Sequence, residues 1–295
     1  MADVLFERVC LLGIGLIGSS LARVAKQRGD IARTLVAHAR TPATLDRVRE
    51  LGIADVVEPD AAKAVEGADC VIFCVPVGAY AAVMAQVAPH LKRGAIVTDV
   101  GSTKMSVLRD LLPSLPKGVH LVPAHPMAGT EHSGPDAGFP ELFQGRYTIL
   151  TPLPESDPAA VAKVRELWHR CGSMIETMDP ATHDKVVAIV SHLPHLLAFT
   201  ICSTADDLAE ETKEAVLKFA ASGFRDFTRI AASDPTMWRD VFLNNREALL
   251  EMLARFTEDA HALGRAVRWG EAGFIEDRIK RGRKIRQGLI ERKQA

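Results

Sequence analysis

The hexapeptide GIGLIG, residues 13–18, constrains this chain more than any other feature. It follows an apolar run, RVCLL, and opens LIGSSLARVAKQRG, where Leu16, Ile17, Leu21 and Val24 recur with helical spacing before a stop at Gly29. A strand that turns through G-x-G-x-x-G into a helix is the fingerprint of a dinucleotide-binding βαβ unit. Gly13 permits the tight turn, Gly15 lets backbone approach a pyrophosphate, and Gly18 lets the helix pack close to the strand. The helix N-terminus then offers unpaired N–H groups to the phosphates. Gly13, Gly15, Leu16, Ile17 and Gly18 are therefore candidate cofactor-binding residues.

The rest of the first half repeats the alternation. The β-branched runs TLVAHA, DCVIFCVP, GAIVTDVG, HLVPAHP, YTILTP and MIETM are separated by helical patterns such as AAVMAQVAPHLKRG, which stops at Gly94. Apolar strands alternating with helices predict an α/β domain, a Rossmann-type doubly wound parallel sheet covered on both faces. From Pro180 onward almost only the 3.6-residue period is seen, in HDKVVAIVSHLPHLLAFTICSTADDLAE, PTMWRDVFLNNREALLEMLARFTEDAHAL and FIEDRIKRGRKIRQGLIERK. The chain is therefore divided near residue 178, with residues 1–178 as the dinucleotide-binding domain and 179–295 as an all-helical domain. Those helices supply only part of a self-contained core, which predicts a homodimer built through residues 180–295. In the last of them Phe274, Ile275, Ile279, Ile285 and Leu289 predict a docked helix with a solvated basic face.

Composition excludes several classes. With 36 basic and 37 acidic residues the net charge is −1, which gives no bulk attraction to nucleic acid or to an anionic membrane. No stretch approaches the roughly 18 uninterrupted apolar residues of a membrane span. The opening MADVLFERVC carries acids and enters a strand pattern directly, unlike a signal peptide, so a cytoplasmic protein is expected. Cys70 and Cys74 lie in one strand, where four residues span roughly 13 Å, too far for a disulfide. All five cysteines are expected as free thiols.

Strand ends in such a sheet line the ligand crevice, so the residues that follow each strand carry the chemistry. An acid about 20 residues beyond the glycine loop would normally accept from the adenosine ribose. In LVAHART that place is held by Ala39, with Arg40 next, which leaves room for the 2′-phosphate of NADP as well as for NAD. Val75 and Pro76, at the end of DCVIFCVP, join the candidate cofactor residues. IVTDVGSTK places Ser102, and LVPAHPMAG places His125, just past strand ends near the nicotinamide side of the cofactor. Pro126 biases His125 to an extended conformation and Pro123 stiffens the approach, a mount suited to an imidazole that must be aimed.

These segments resemble a family. HPMAGTEHSG, GIGLIGSS, DVGSTK, SHLPH and GFRDFTRIAASDPTMW are similar to the prephenate dehydrogenases, including arogenate and cyclohexadienyl relatives, over nearly the whole chain. The resemblance implies NAD(P)-dependent oxidative decarboxylation of prephenate to 4-hydroxyphenylpyruvate, or of arogenate to tyrosine, in a dimer joined through its helical domain. It implies that His125 meets the ring hydroxyl, that Ser102 orients it and that Arg229 binds a substrate carboxylate. His195 resembles a substrate-side histidine, and Glu131 and Asp226 resemble acids gating access around Arg229. Ser222 departs from the pattern, standing where many relatives have glycine.

The chemistry stands beside the resemblance. Removing hydride from a carbon that bears a hydroxyl requires a partner for the hydroxyl proton, and neutral imidazole suits that role near neutral pH. A dianionic substrate calls for a fixed arginine. No metal is expected: His192 and His195 share a helix face, but Pro194 should kink it, and no third spaced ligand accompanies them. Two other readings stay open here, a two-domain dehydrogenase of the β-hydroxyacid type and a non-catalytic dinucleotide sensor.

Overall fold

The computed structural model describes residues 4–208 and 210–292; position 209 of the expected helix ending at Glu210, and position 293 at the end of the last expected helix, fall outside that range. It divides into two compact units, Met1–Arg246 and Glu247–Ala295.

The first unit opens with β1 (Phe6–Leu12), α1 (Leu16–Arg28), β2 (Ala32–His38), α2 (Pro42–Leu51), β3 (Val56–Val57), α3 (Ala61–Val65), β4 (Cys70–Phe73), α4 (Tyr80–Val87), β5 (Ile96–Asp99), α5 (Lys104–Leu111) and β6 (His120–Leu121). These six strands make one parallel sheet in the order β3-β2-β1-β4-β5-β6. The strand order reverses between β1 and β4, so the crevice lies beyond Leu12 and Phe73. Alternation in β1 builds both cores: Val9 and Leu11 face the layer of α1, while Cys10 and Leu12 face that of α3 and α4. All five cysteines are free thiols, as the spacing predicts.

Local chemistry sets the helix ends. Gly29 closes α1 at φ 70°, a left-handed conformation that glycine adopts without a Cβ penalty. Asp157, Asp179 and Asp234 cap α6 (Pro158–Arg170), α7 (Pro180–Val187) and α11 (Pro235–Asn244), each followed by a proline at the first helical position. The AAVMAQVAPHLKRG helix ends earlier than expected: α4 stops at Val87, and Pro89 forces a 3-10 turn over Ala88–His90 before Gly94 is reached.

The run HLVPAHP does not form one strand. After β6 the chain leaves the parallel sheet, and β7 (Ala124–Pro126) pairs antiparallel with β8 (Tyr147–Leu150), which pairs in parallel with β9 (Met174–Thr177). His125 therefore lies within a strand of a second sheet rather than just past the end of a strand of the first. Pro123 cannot donate to the ladder, which is why the first sheet releases the chain there.

The helical region then runs through α7, α8 (Leu193–Asp206), α9 (Glu210–Phe219), α10 (Ser222–Thr228), α11, α12 (Arg246–Trp269) and α13 (Ala272–Glu291). The expected PTMW helix breaks at Asn245 into α11 and α12. Between α7 and α8 the backbone stays helical through a π turn, Ala188–His192, that widens just ahead of Pro194. Pro194 is thereby absorbed instead of kinking the helix. The run Pro180–Asp206 is 27 residues long and contains an 18-residue stretch of mean hydropathy 1.8, long and apolar enough by composition to cross a bilayer. Interspersed polar residues conceal this from a search for unbroken apolar runs. Its residues Val186, Ile189, Val190 and Ile201 are exposed.

In the second unit α13 buries none of its residues, so it is not docked along the seam its pattern predicts. Ile285 is 70% exposed, and Phe274, itself exposed, carries Arg278 over its ring.

Candidate active site

At the crevice, Gly13 has φ 102°, and a Cβ there would meet the Cys74 carbonyl at 2.8 Å. A Cβ on Gly18 would strike the Gly13 carbonyl oxygen. Gly15 is different: a Cβ there would enter open space, and it is the N-cap of α1 with no side-chain cap. The first-turn N–H groups, those of Leu16 and Ile17 among them, thus face an open cradle suited to a pyrophosphate. Val75 and Pro76 follow β4 on the far side of the turn, Val75 half-buried and Pro76 exposed. These residues fit a dinucleotide. Ala39 is buried at the end of β2, Arg40 is exposed beside it, and Thr41 caps α2 by accepting the Thr44 N–H.

Ser102 is half-buried between β5 and α5. His125 is buried, and its backbone is clamped from the sheet. Asp99 Oδ1 accepts the Ala124 N–H at 3.1 Å, while Lys104 Nζ donates to the Ala124 carbonyl and to Asp99 Oδ2, both at 2.6 Å. Asp99 and Lys104 are fully buried and form an ion pair that the Tyr80 hydroxyl and the Gly101 N–H complete. Burial pulls the Lys104 ammonium below its ordinary pKa, against the pull of Asp99 and Asp184.

The His125 ring meets a second clamp from α7. Its Nδ1 lies 2.8 Å from His183 Nε2, and His183 Nδ1 lies 2.8 Å from Asp184 Oδ1. Asp184 in turn accepts the backbone N–H groups of Lys104 and Met105, at 2.7 and 2.9 Å, at the start of α5. Burial first, then His183, Lys104 and His192, hold His125 well below the usual imidazole pKa. His183 is lowered too, chiefly by burial, with Asp184 opposing. At neutral pH His125 is an uncharged imidazole.

A neighbouring cluster joins His192 and His195 to Asn245 and Trp238. Asn245 Nδ2 donates to the Asp184 carbonyl and to His192 Nδ1, so His192 carries its proton on Nε2. That N–H and the Trp238 Nε1–H are buried without a hydrogen-bond partner among the described residues. Burial lowers His192 to about 4. His195 stacks on Trp238 with centroids 3.6 Å apart and donates its Nδ1–H to the Ser191 carbonyl. Its pKa is lowered by burial and, more weakly, by Arg229. Arg229 is exposed, and its guanidinium lies 3.8 Å from Glu131 Oε2, an ion pair without hydrogen-bond contact. Asp226 is exposed and, among the described residues, makes no ion pair or hydrogen bond, so it is not joined to the Arg229–Glu131 pair. The loop bearing Glu131 is tied back to α1 and α2: Ser20 Oγ accepts the Phe139 N–H, Arg23 donates to the Pro135 carbonyl, and Arg47 pairs with Asp136.

Asp99, Lys104, His183, Asp184, His192 and Asn245 were not sequence candidates for the site. A signal was present, since Asp99 ends an apolar strand and Asp184 lies inside a helix just ahead of an apolar run, and a buried acid requires a partner.

Comparison with known proteins bears on the family and the fold. The family model described as the prephenate dehydrogenase nucleotide-binding domain matches residues 21–177, and the one described as the prephenate dehydrogenase dimerization domain matches 179–279. The glycine loop lies ahead of the first match. The chain is 39% identical to a cyclohexadienyl dehydrogenase of Zymomonas mobilis subsp. mobilis over 285 residues, 96% of each protein. It superposes on a prephenate dehydrogenase from A. aeolicus, solved in complex with hydroxyphenyl propionate and NAD+, with a TM-score of 0.88, 31% identity and coverage of 96% of this chain and 98% of that one. For a Synechocystis arogenate dehydrogenase the TM-score is 0.80 at 26% identity, covering 96% and 99%.

Proposed function

The chain belongs to the prephenate dehydrogenase family, and from that premise we propose that it catalyses the NAD(P)-dependent oxidative decarboxylation of prephenate to 4-hydroxyphenylpyruvate, arogenate being the alternative substrate. The observation that carries the reading is the buried, uncharged His125, clamped on both sides near a cradle that fits a dinucleotide. A dinucleotide held there supplies the acceptor for the hydride that leaves the hydroxyl-bearing ring carbon. His125 takes the hydroxyl proton as the carbon–oxygen bond becomes a carbonyl. Loss of CO2 returns an electron pair to the ring, the oxygen becomes phenolic, and His125 gives the proton back. No net proton is consumed, and aromatisation drives the step.

Ser102 orients the ring hydroxyl, Arg229 anchors the side-chain carboxylate, and His195 contacts the substrate from its stack on Trp238. Glu131, 3.8 Å from Arg229, pairs with that arginine and gates entry, and Asp226, three residues before Arg229 but not paired with it, serves as a second acid at the entrance. Residues 1–178 serve as the dinucleotide domain and 179–295 as the dimerisation and substrate domain, in a cytoplasmic homodimer. The exposed apolar residues of Pro180–Asp206 and α13 support the pairing.

NADP is accepted with kcat/KM within about tenfold of NAD or better, because one charge-assisted contact is worth that much. Ala39 removes the acid that would repel a 2′-phosphate, and exposed Arg40 can pair with it. The test is turnover of prephenate and arogenate with each dinucleotide, followed by absorbance of the reduced cofactor. No turnover of either substrate would leave a dinucleotide sensor. Ala39→Asp should depress NADP use sharply while sparing NAD, and absence of NADP turnover in wild type would remove Arg40 as a phosphate reader.

A further inference from the structure

We propose that Asp184 and His183 are positioning residues that fix the tautomer of His125, leaving its Nε2, and no other atom, as the site that takes the substrate proton. The inference rests on the reading of His125 as the base and adds two residues that act through it.

The geometry propagates one constraint along three groups. Asp184 receives a backbone N–H on each oxygen, from Lys104 and Met105, so it can meet His183 Nδ1 only as an acceptor. Helix α5 thus holds the carboxylate in place through the dipole of its first turn. His183 Nδ1 must therefore carry a proton. Neutral imidazole has one N–H, so His183 Nε2 offers a lone pair to His125 Nδ1, 2.8 Å away. His125 Nδ1 must then be the donor, and its Nε2 is bare. The relay fails if His183 is charged, since its Nε2–H would then drive His125 into the opposite tautomer. Burial and the nearby Lys104 ammonium keep His183 neutral. When His125 takes up the substrate proton, its Nδ1–H already points along a chain that ends on a carboxylate, which steadies the transient charge.

The direct test is 15N NMR of selectively histidine-labelled wild-type protein, with His125 assigned by its loss in His125→Asn. A protonated Nδ1 and a bare Nε2 on His125 support the relay; a protonated Nε2 overturns it. Kinetics supply the second arm. His183→Leu should lose tenfold or more in kcat with an unchanged dinucleotide Kd, and His183→Gln, which keeps an acceptor for Nδ1–H, should return to within about threefold of wild type. A smaller loss in His183→Leu, or no recovery in His183→Gln, would mean the residue only fills space. Asp184→Asn can present an amide N–H to His183, so it should invert the His125 tautomer and lower kcat roughly 10²–10³-fold with KM little changed. Should wild type turn over neither substrate, the activity reading fails while the tautomer measurement still decides the relay.

Discussion

Replacing Lys104 by methionine removes one charge from a pair with no exposure, keeping most of the side-chain volume. Breaking a buried ion pair from one side costs about 3–5 kcal/mol, because the remaining charge is stranded. Asp99 would keep the Gly101 N–H at 2.8 Å, the Ala124 N–H at 3.1 Å and the Tyr80 hydroxyl at 3.2 Å, which places the loss near the lower end. The Ala124 carbonyl would lose its 2.6 Å donor. A loss of about 3 kcal/mol in a unit of this size corresponds to a Tm lowered by roughly 6–12 °C. Calorimetry at one fixed protein concentration measures it, since association shifts Tm by mass action. Lys104→Met/Asp99→Asn should recover more than half of the loss, because no stranded charge remains. A fall of under about 2 °C in the single variant would show that the pair does not anchor the His125 strand.

His125→Asn should fold and bind dinucleotide yet lose roughly 10²–10⁴ in kcat, and retention of a third of wild-type kcat would take His125 out of the mechanism. Arg229→Ala should raise KM and lower kcat/KM roughly 10- to 150-fold, the scale of one lost charge-assisted contact; an unchanged kcat/KM would move the anchor elsewhere, with Arg225 the next to test. Acid should destabilise the fold between about pH 6.5 and 4. His125, His183 and His192 have folded pKa values below their unfolded ones, so in that window the unfolded chain binds more protons, and stability present above pH 6.5 is lost as pH falls. For His192, lowered to about 4, this amounts to about 3 kcal/mol. Urea midpoints that stayed level across the window would contradict the buried, neutral state of these rings.

What could be read in advance was what short segments decide by themselves. Gly13, Gly15 and Gly18 act through their own backbone freedom and their neighbours in sequence, so the turn, the helix behind it and the cofactor cradle were legible. The sheet followed from alternation. The second sheet did not, because strands of two to four residues carry no more pattern than an apolar loop. His125 was found for its stiff mount, but its orienting partners stand 58 and 59 positions away on a helix whose approach no local pattern encodes. The break at Asn245 was hidden for a similar reason: the side chain that interrupts a long helical pattern is held by His192 and the Asp184 carbonyl.

The wide turn at Ala188–His192 resets the angular phase of the long helix. Successive residues of an α-helix advance by roughly 100°, so His183 and His195, twelve positions apart, would point about 120° from each other on a regular helix. A π turn absorbs one extra residue, and eleven effective steps bring the two rings to within about 20°. One inserted residue thus lets a single helix aim the His125 partner and the Trp238-stacked histidine at the same side. Shortening the segment by one residue would leave its helicity and composition almost untouched while swinging one histidine out of the site.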